Sequence, residues 1–169
     1  MPSLRAATPA DAPVIASLRE RTIRTVIARV SPPLYTPEEI EAWASNYSES
    51  RLLGFIGEGN FLVAEQEGRI VGYGRLAVET PGAGIVRGLF VDASCIGKGI
   101  GAAVLTRLLE IARERGLTRV DLVATLNARS FYERHGFVCL ERVQHGTPNG
   151  AVIPGFKMTR PLVADASHK

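Results

Sequence analysis

Apolar residues recur with two different periods along this chain, and the change of period divides it. Ile15, Leu18, Thr22, Ile23, Val26 and Ile27 fall at helical spacing, which predicts a helix with one apolar face. Thr8-Pro9-Ala10-Asp11 supplies its start, with a capping hydroxyl and an early proline. A short strand at Leu4–Ala7 precedes it. Ser31-Pro32-Pro33 breaks the helix. Thr36-Pro37-Glu38-Glu39 then reads as a cap, a first-turn proline and a capping-box glutamate. Ile40, Trp43 and Ala44 give this second helix a short apolar stripe. Beyond Phe55 the texture becomes that of strands. Phe61–Glu65 and Ile70–Leu76 flank a turn at Glu67-Gly68 and predict a hairpin. Pro81-Gly82-Ala83-Gly84 turns the chain into a third strand, Ile85–Val91, where Gly88 marks a bulge or a close approach.

Helical period returns after Gly97-Lys98-Gly99-Ile100-Gly101. Ile100, Val104, Leu105, Leu108, Ile111 and Ala112 share one face, and Gly116 is placed to end the helix. Val120–Ala124 is a short strand, parallel to the third because a helix crossover joins them. Ala128–His135 is a short helix ended by Gly136. A strand begins at Phe137, and a last one spans Val152–Met158, with Pro154 arguing for an edge position. The predicted fold is α+β: a single domain over residues 1–162, with a central mixed, mostly antiparallel sheet flanked by helices. Residues 163–169 form a polar C-terminal tail.

Composition narrows the function classes. Hydrophobic residues make up 46% and charged residues 22%, ordinary for a folded domain. The net charge of +3 comes from basic residues scattered along the chain, so no nucleic-acid surface is expected. Cys95 and Cys139 are too few for a disulfide framework, and no Cys/His cluster suggests a metal. Reduced thiols, no apolar leader and no run of 18 apolar residues predict a cytoplasmic protein without a membrane partner.

The glycine turn carries the chemistry. The first amides of a helix lack backbone partners and face the positive end of its dipole. Glycines let the backbone approach phosphate oxygens, and Lys98 adds a cation. A P-loop would need Ser or Thr where Gly99 stands. The dinucleotide fingerprint matches literally from Gly97 to Ala102, but Asp121 lies at the wrong end of the next strand to bind a ribose. The upstream antiparallel meander also opposes a doubly wound sheet.

A third phosphate motif fits better. Gly88-Leu89-Phe90-Val91, the turn Gly97–Gly101 and Asn127–Phe137, containing Phe131-Tyr132-Glu133-Arg134-His135-Gly136-Phe137, together resemble the GNAT superfamily of N-acetyltransferases. The order of elements along essentially the whole chain is similar too. One position departs: Ile96 stands where the family usually has Gln or Arg. The resemblance implies acetyl-CoA as co-substrate and no metal. It implies that Gly97, Lys98, Gly99, Ile100 and Gly101 hold the pyrophosphate. Leu89, Phe90 and Val91 would offer backbone to the pantetheine arm where the third strand splays from its parallel neighbour, in the manner of an added strand.

Tyr132 is the implied general acid, protonating or hydrogen-bonding the leaving thiolate; otherwise it is a packed tyrosine. Asn127 caps the same helix, contacts pantetheine, or does both. Asp92 and Glu79 are candidates to take the amine proton, and His135 reads as a surface or C-cap residue. Tyr35, Trp43 and Tyr73 are candidates to line an acceptor pocket. Cys95 precedes the turn without a visible histidine partner, which disfavours a covalent route and favours direct transfer in a ternary complex. The acceptor is an amine, on a small molecule or a protein. A late edge strand is free to pair in a homodimer. The rival function class is a non-catalytic acyl-CoA-binding sensor or interaction domain.

Overall fold

The structure, a computed structural model, describes residues 2–163; the expected tail lies outside these residues apart from Val163. Seven strands form one sheet in the order β1-β2-β3-β4-β5-β7-β6. They are β1 (Ser3–Ala6), β2 (Phe61–Gln66), β3 (Arg69–Thr80), β4 (Ala83–Val91), β5 (Arg119–Ala124), β6 (Val138–Gly146) and β7 (Val152–Pro161). Only β4 and β5 run parallel; every other neighbouring pair is antiparallel. This is the mixed, mostly antiparallel sheet that the order of periods predicts.

Helices cover both faces. They are α1 (Ala12–Thr22), α2 (Pro37–Ala44), α3 (Glu49–Glu58), α4 (Ile100–Glu114) and α5 (Arg129–Arg134). On β3, a Cβ placed on Gly72 or Gly74 would lie 3.0 Å from Ile100 or Val104 of α4. Glycine at these two positions therefore lets α4 lie close on the sheet. Tyr73, between them, points the other way and packs with Ile15 and Leu18 of α1 and Leu52 of α3. Ile100, Val104, Leu105, Leu108 and Ala112 are buried as their spacing predicts. Gly116, at φ +71°, ends α4, with the Leu117 amide reaching back to the Ala112 carbonyl at 3.0 Å.

The capping box at Thr36 forms: its hydroxyl accepts from the Glu39 amide, and the Glu39 carboxylate accepts from the Thr36 amide. The start at Thr8 differs from expectation. Its hydroxyl donates to the Asp11 carboxylate, which also takes the Thr8 amide and pairs with Arg5. α1 continues into a π-helical turn, Ile23–Ile27, before the Ser31-Pro32-Pro33 break.

Three corrections follow. α3 is not legible from the pattern: it buries only Leu52 and Ile56 and carries Gly54 and Gly57, which weaken the helical signal. The second turn is only Pro81-Gly82, because Ala83 and Gly84 already pair in β4. Finally, β7 is an interior strand between β5 and β6. Pro154 is tolerated because β5 pairs with β7 only from Phe156 onward; its missing N–H removes no ladder bond there. At this end of the sheet the edge strand is β6, with Val138 and Leu140 exposed.

Candidate functional site

The glycine turn enters α4 through two left-handed residues, Gly97 at φ +80° and Gly99 at φ +79°. Side chains other than glycine rarely adopt this conformation, and Gly99 is the N-cap. The first helical bond is Ala103 to the Gly99 carbonyl at 3.0 Å. The amides of Ile100, Gly101 and Ala102 precede it and have no helical acceptor. Lys98 is exposed beside them, and so is Ile96, which offers no polar contact.

A 3₁₀ turn, Ala93–Cys95, leads into this segment, capped by Asp92, whose carboxylate accepts from the Ser94 amide and hydroxyl. Arg21 of α1 also pairs with Asp92, at 2.5 Å. Burial pushes this carboxyl up, but the Ser94 and Arg21 hydrogen bonds outweigh it and hold the group at about 2. A carboxylate held so far into acid is a weak base. Glu79 forms a two-pronged pair with Arg87 at 3.0 Å. It lies toward the β3–β4 turn, whereas Asp92 bonds the Val71 carbonyl at the opposite end of the hairpin. Eight strand residues, roughly 25 Å, separate the two ends. The structure does not bring these two candidate bases together.

β4 and β5 pair from Ala83↔Arg119 to Val86↔Leu122 and no further. The bulge expected at Gly88 is present. That residue has φ +70°, and the β3–β4 register slips by one between Tyr73↔Phe90 and Arg75↔Arg87. Beyond it Leu89, Phe90 and Val91 keep β3 as a neighbour but not β5. Leu89 packs toward α4, and Phe90 lies on the α1–α2 side, 6.4 Å from Trp43 between ring centres. The Val91 carbonyl also accepts from the Thr22 hydroxyl.

α5 closes the cleft. A Cβ on Gly101 would lie 3.5 Å from both Phe131 and Val91, so the head of α4, the open end of β4 and α5 meet at one point. Tyr132 is buried next to it, edge-on to Phe131 and Phe137. Burial raises its phenol above the usual tyrosine range, with no hydrogen bond acting on it. Asn127 is exposed and does not cap α5; the N-cap position belongs to Ala128, and no side-chain cap bond forms. His135 occupies the C-cap, its Nδ1 2.8 Å from the Phe131 carbonyl. Cys95 is buried in the core beneath α4, and its polar contact among the described residues is with the Ser94 hydroxyl, at 3.5 Å.

Tyr35, Trp43 and Tyr73 sit on the other face from α4. The Tyr35 hydroxyl donates to the Pro154 carbonyl and accepts from the Leu126 amide, tying the loop before α2 to the ends of β5 and β7. Trp43 and Tyr73 flank Phe90. Asn149, in the β6–β7 loop, donates to the Ala42, Trp43 and Ser45 carbonyls and fixes that loop to α2. Sequence reasoning missed Arg21, Asn149 and the buried Arg19. Arg19 alone left a signal: it stands four residues after Ile15, on the apolar stripe of α1.

A profile described as the Acetyltransferase (GNAT) family matches residues 24–137. An amino-acid acetyltransferase from Mycobacterium tuberculosis is 35% identical over 142 residues, covering 80% of this chain and 78% of that one. A GCN5-related N-acetyltransferase structure from Rhodopseudomonas palustris superposes with a TM-score of 0.82 at 27% identity, covering 96% of each chain. The PaiA N-acetyltransferase of Thermoplasma acidophilum, solved with coenzyme A, shares the fold: TM-score 0.78, 20% identity, 96% and 99% coverage. The splayed β4, the glycine-headed α4 and these matches lead to one conclusion: the chain belongs to the GNAT family of acetyltransferases.

Proposed function

We propose that this acetyltransferase moves the acetyl group of acetyl-CoA onto the primary amine of a small molecule, by direct attack in a ternary complex. The convergence at Gly101 carries the reading. Helix-start amides without helical acceptors, an open strand edge and the helix that carries a buried phenol lie side by side there. Amides of Ile100–Ala102 and Lys98 take the pyrophosphate. Backbone groups of Leu89–Val91 take the amides of the pantetheine arm, with Asn127 at the outer rim. The name of the M. tuberculosis relative favours a small acceptor over a protein one.

Tyr132 meets the departing sulfur. A thiol of the cysteine type titrates near ~8.5 and a free phenol near ~10, so full proton transfer from a phenol raised further by burial is uphill. Tyr132 therefore acts by hydrogen-bonding the developing thiolate. Asp92 positions Arg21 and the turn, and the amine proton leaves to water rather than to Asp92 or Glu79. In assembly, the outer edge of β6 offers a strand to a second copy; light scattering of the purified protein reads this directly. The central test is release of free CoA thiol from acetyl-CoA across a library of amines. Acceptor-dependent release supports the transferase. Tight acetyl-CoA binding with no release for any amine would leave a sensor instead.

A further inference from the structure

Most arginines of this protein that carry an ion pair do so at the surface, against one or two carboxylates. Arg5 holds Asp11 and Glu65, Arg24 holds Glu20 and Glu41, and Arg87 holds Glu79. Two interior arginines break this pattern. Arg19 is 3% exposed. Its Nη2 donates to the Trp43 carbonyl at 3.0 Å, and its Nη1 is sealed from solvent with no partner among the described residues. Arg75 is 8% exposed and its one ion pair among the described residues is with the Glu58 carboxylate, at 3.3 Å, which is itself mostly in water. Burying a guanidinium without a counter-charge costs several kcal/mol, and an unused buried donor adds to that cost.

The two arginines share their surroundings. The Arg19 guanidinium lies 4.1 Å from the centre of the Tyr47 ring, and that of Arg75 lies 3.8 Å from Phe55. The Tyr47 and Phe55 rings pack against the same apolar cluster as Tyr73, and among the described residues no side-chain hydrogen bond engages the Tyr47 or Tyr73 hydroxyl. Tyr73 reaches the start of the splay: a Cβ on Gly88 would lie 3.9 Å from its hydroxyl, where β4 has left β5. Positive charge and free hydroxyl donors thus collect on the sheet face opposite α4, one residue from the open stretch of β4.

We propose that Arg19 and Arg75, with the Tyr47 and Tyr73 hydroxyls, form a subsite for an oxyanion carried by the acceptor amine. The ligand class is an amine bearing a carboxylate or a phosphate, and the proposal rests on the transferase reading above. Tyr47 is half-buried and covers Arg19; tilting of its ring opens Nη1 to the anion. The guanidinium fork then completes its hydrogen bonds with a charged partner, the pairing that such a planar donor set favours.

The test uses matched acceptors in the presence of CoA: an amino acid and its carboxamide, and an amino sugar phosphate and its parent amino sugar. Binding to the CoA-loaded protein is measured by calorimetry and turnover by thiol release. The expected result is tighter binding and higher kcat/KM for the anionic member of at least one pair, by roughly ten- to a hundredfold, as for one charge-assisted hydrogen bond. Whichever pair responds tells carboxylate from phosphate. Arg19→Gln and Arg75→Gln should abolish the preference through KM, leaving the KM for acetyl-CoA unchanged. Arg19→Lys, which keeps the charge, should retain part of it and covers the case in which the glutamine variants fold poorly. Arg107→Gln, on the far surface of α4, should retain all of it. Equal binding of both members of each pair by the wild-type protein overturns the subsite. Anion-selective binding without turnover of any amine would support the subsite and sink the transferase reading instead.

Discussion

In the reaction proposed above, Tyr132 is the residue on which the chemistry would turn. It is enclosed by Phe131 and Phe137, and burial keeps its phenol protonated throughout the neutral range. Tyr132→Phe removes one hydroxyl from a site where nothing else holds it, so the fold should tolerate the change. Turnover should fall roughly a hundredfold, the scale of losing one positioned donor to a leaving group, with acetyl-CoA affinity unchanged in calorimetry. Unaltered kcat would show that the sulfur leaves without help from this side chain. A recognisable run of residues singles out Tyr132, and the fold buries it against Phe131 and Phe137. The character of Asp92 was not legible in this way: residue type suggested a base, whereas its partners Arg21 and Ser94 come from elsewhere in the fold and hold it at about 2.

The elements differ in how strongly their own residues specify them. α4 is over-determined, with glycines at both ends and a continuous apolar face. Its entry is the exposed point, because Gly99 is left-handed. Gly99→Ala should cost about 1–2 kcal/mol in thermal unfolding and raise the Kd for CoA, since the amides that follow depend on the entry angle. α3 is the opposite case. A Cβ on Gly54 would meet nothing within 4 Å, so Gly54→Ala should add about 0.5–1 kcal/mol and raise Tm by roughly 1–4 °C. A lower Tm would mean that Gly54 serves a contact the fold does not reveal. The helix is real but weakly encoded; Leu52 and Ile56 gain their value only once α1 and β2 lie against them.

At the scale of the molecule, buried and half-buried ion pairs set the acid limit. Asp11, held by Arg5 and the Thr8 amide against burial, sits at about 2, as does Asp92. Both lie below the ordinary value of 3.8. Each therefore contributes stability that is complete above about pH 4 and is lost as pH falls through about 2. Tm should ease down from pH 7 to pH 5, because burial disfavours the charged form of His145, and drop steeply below pH 4. Asp11→Asn should cost about 1 kcal/mol near neutrality, allowing for the solvent around Arg5, and should flatten the acid limb. An unchanged slope would assign the acid limit to other carboxylates.

Local information determined much of this protein. Period and turn chemistry place most of its strands and helices, the Gly88 bulge and the glycine entry to α4, because those features depend on residues near one another in the chain. The fold class followed from their order. What only the tertiary structure decided involves partners far apart in sequence. β7 lies inside the sheet because β5 stops short of Pro154. Asn127 gives up the cap because the Ala128 amide closes onto the Thr125 carbonyl. Asp92 gains its counter-charge from an arginine 71 residues away. Arg19, a charge on an apolar stripe, acquires meaning only when Trp43, Tyr47 and Tyr73 surround it without supplying a counter-ion. Charges and hydrogen bonds are set by whatever the fold brings within a few ångströms, and no local pattern records that.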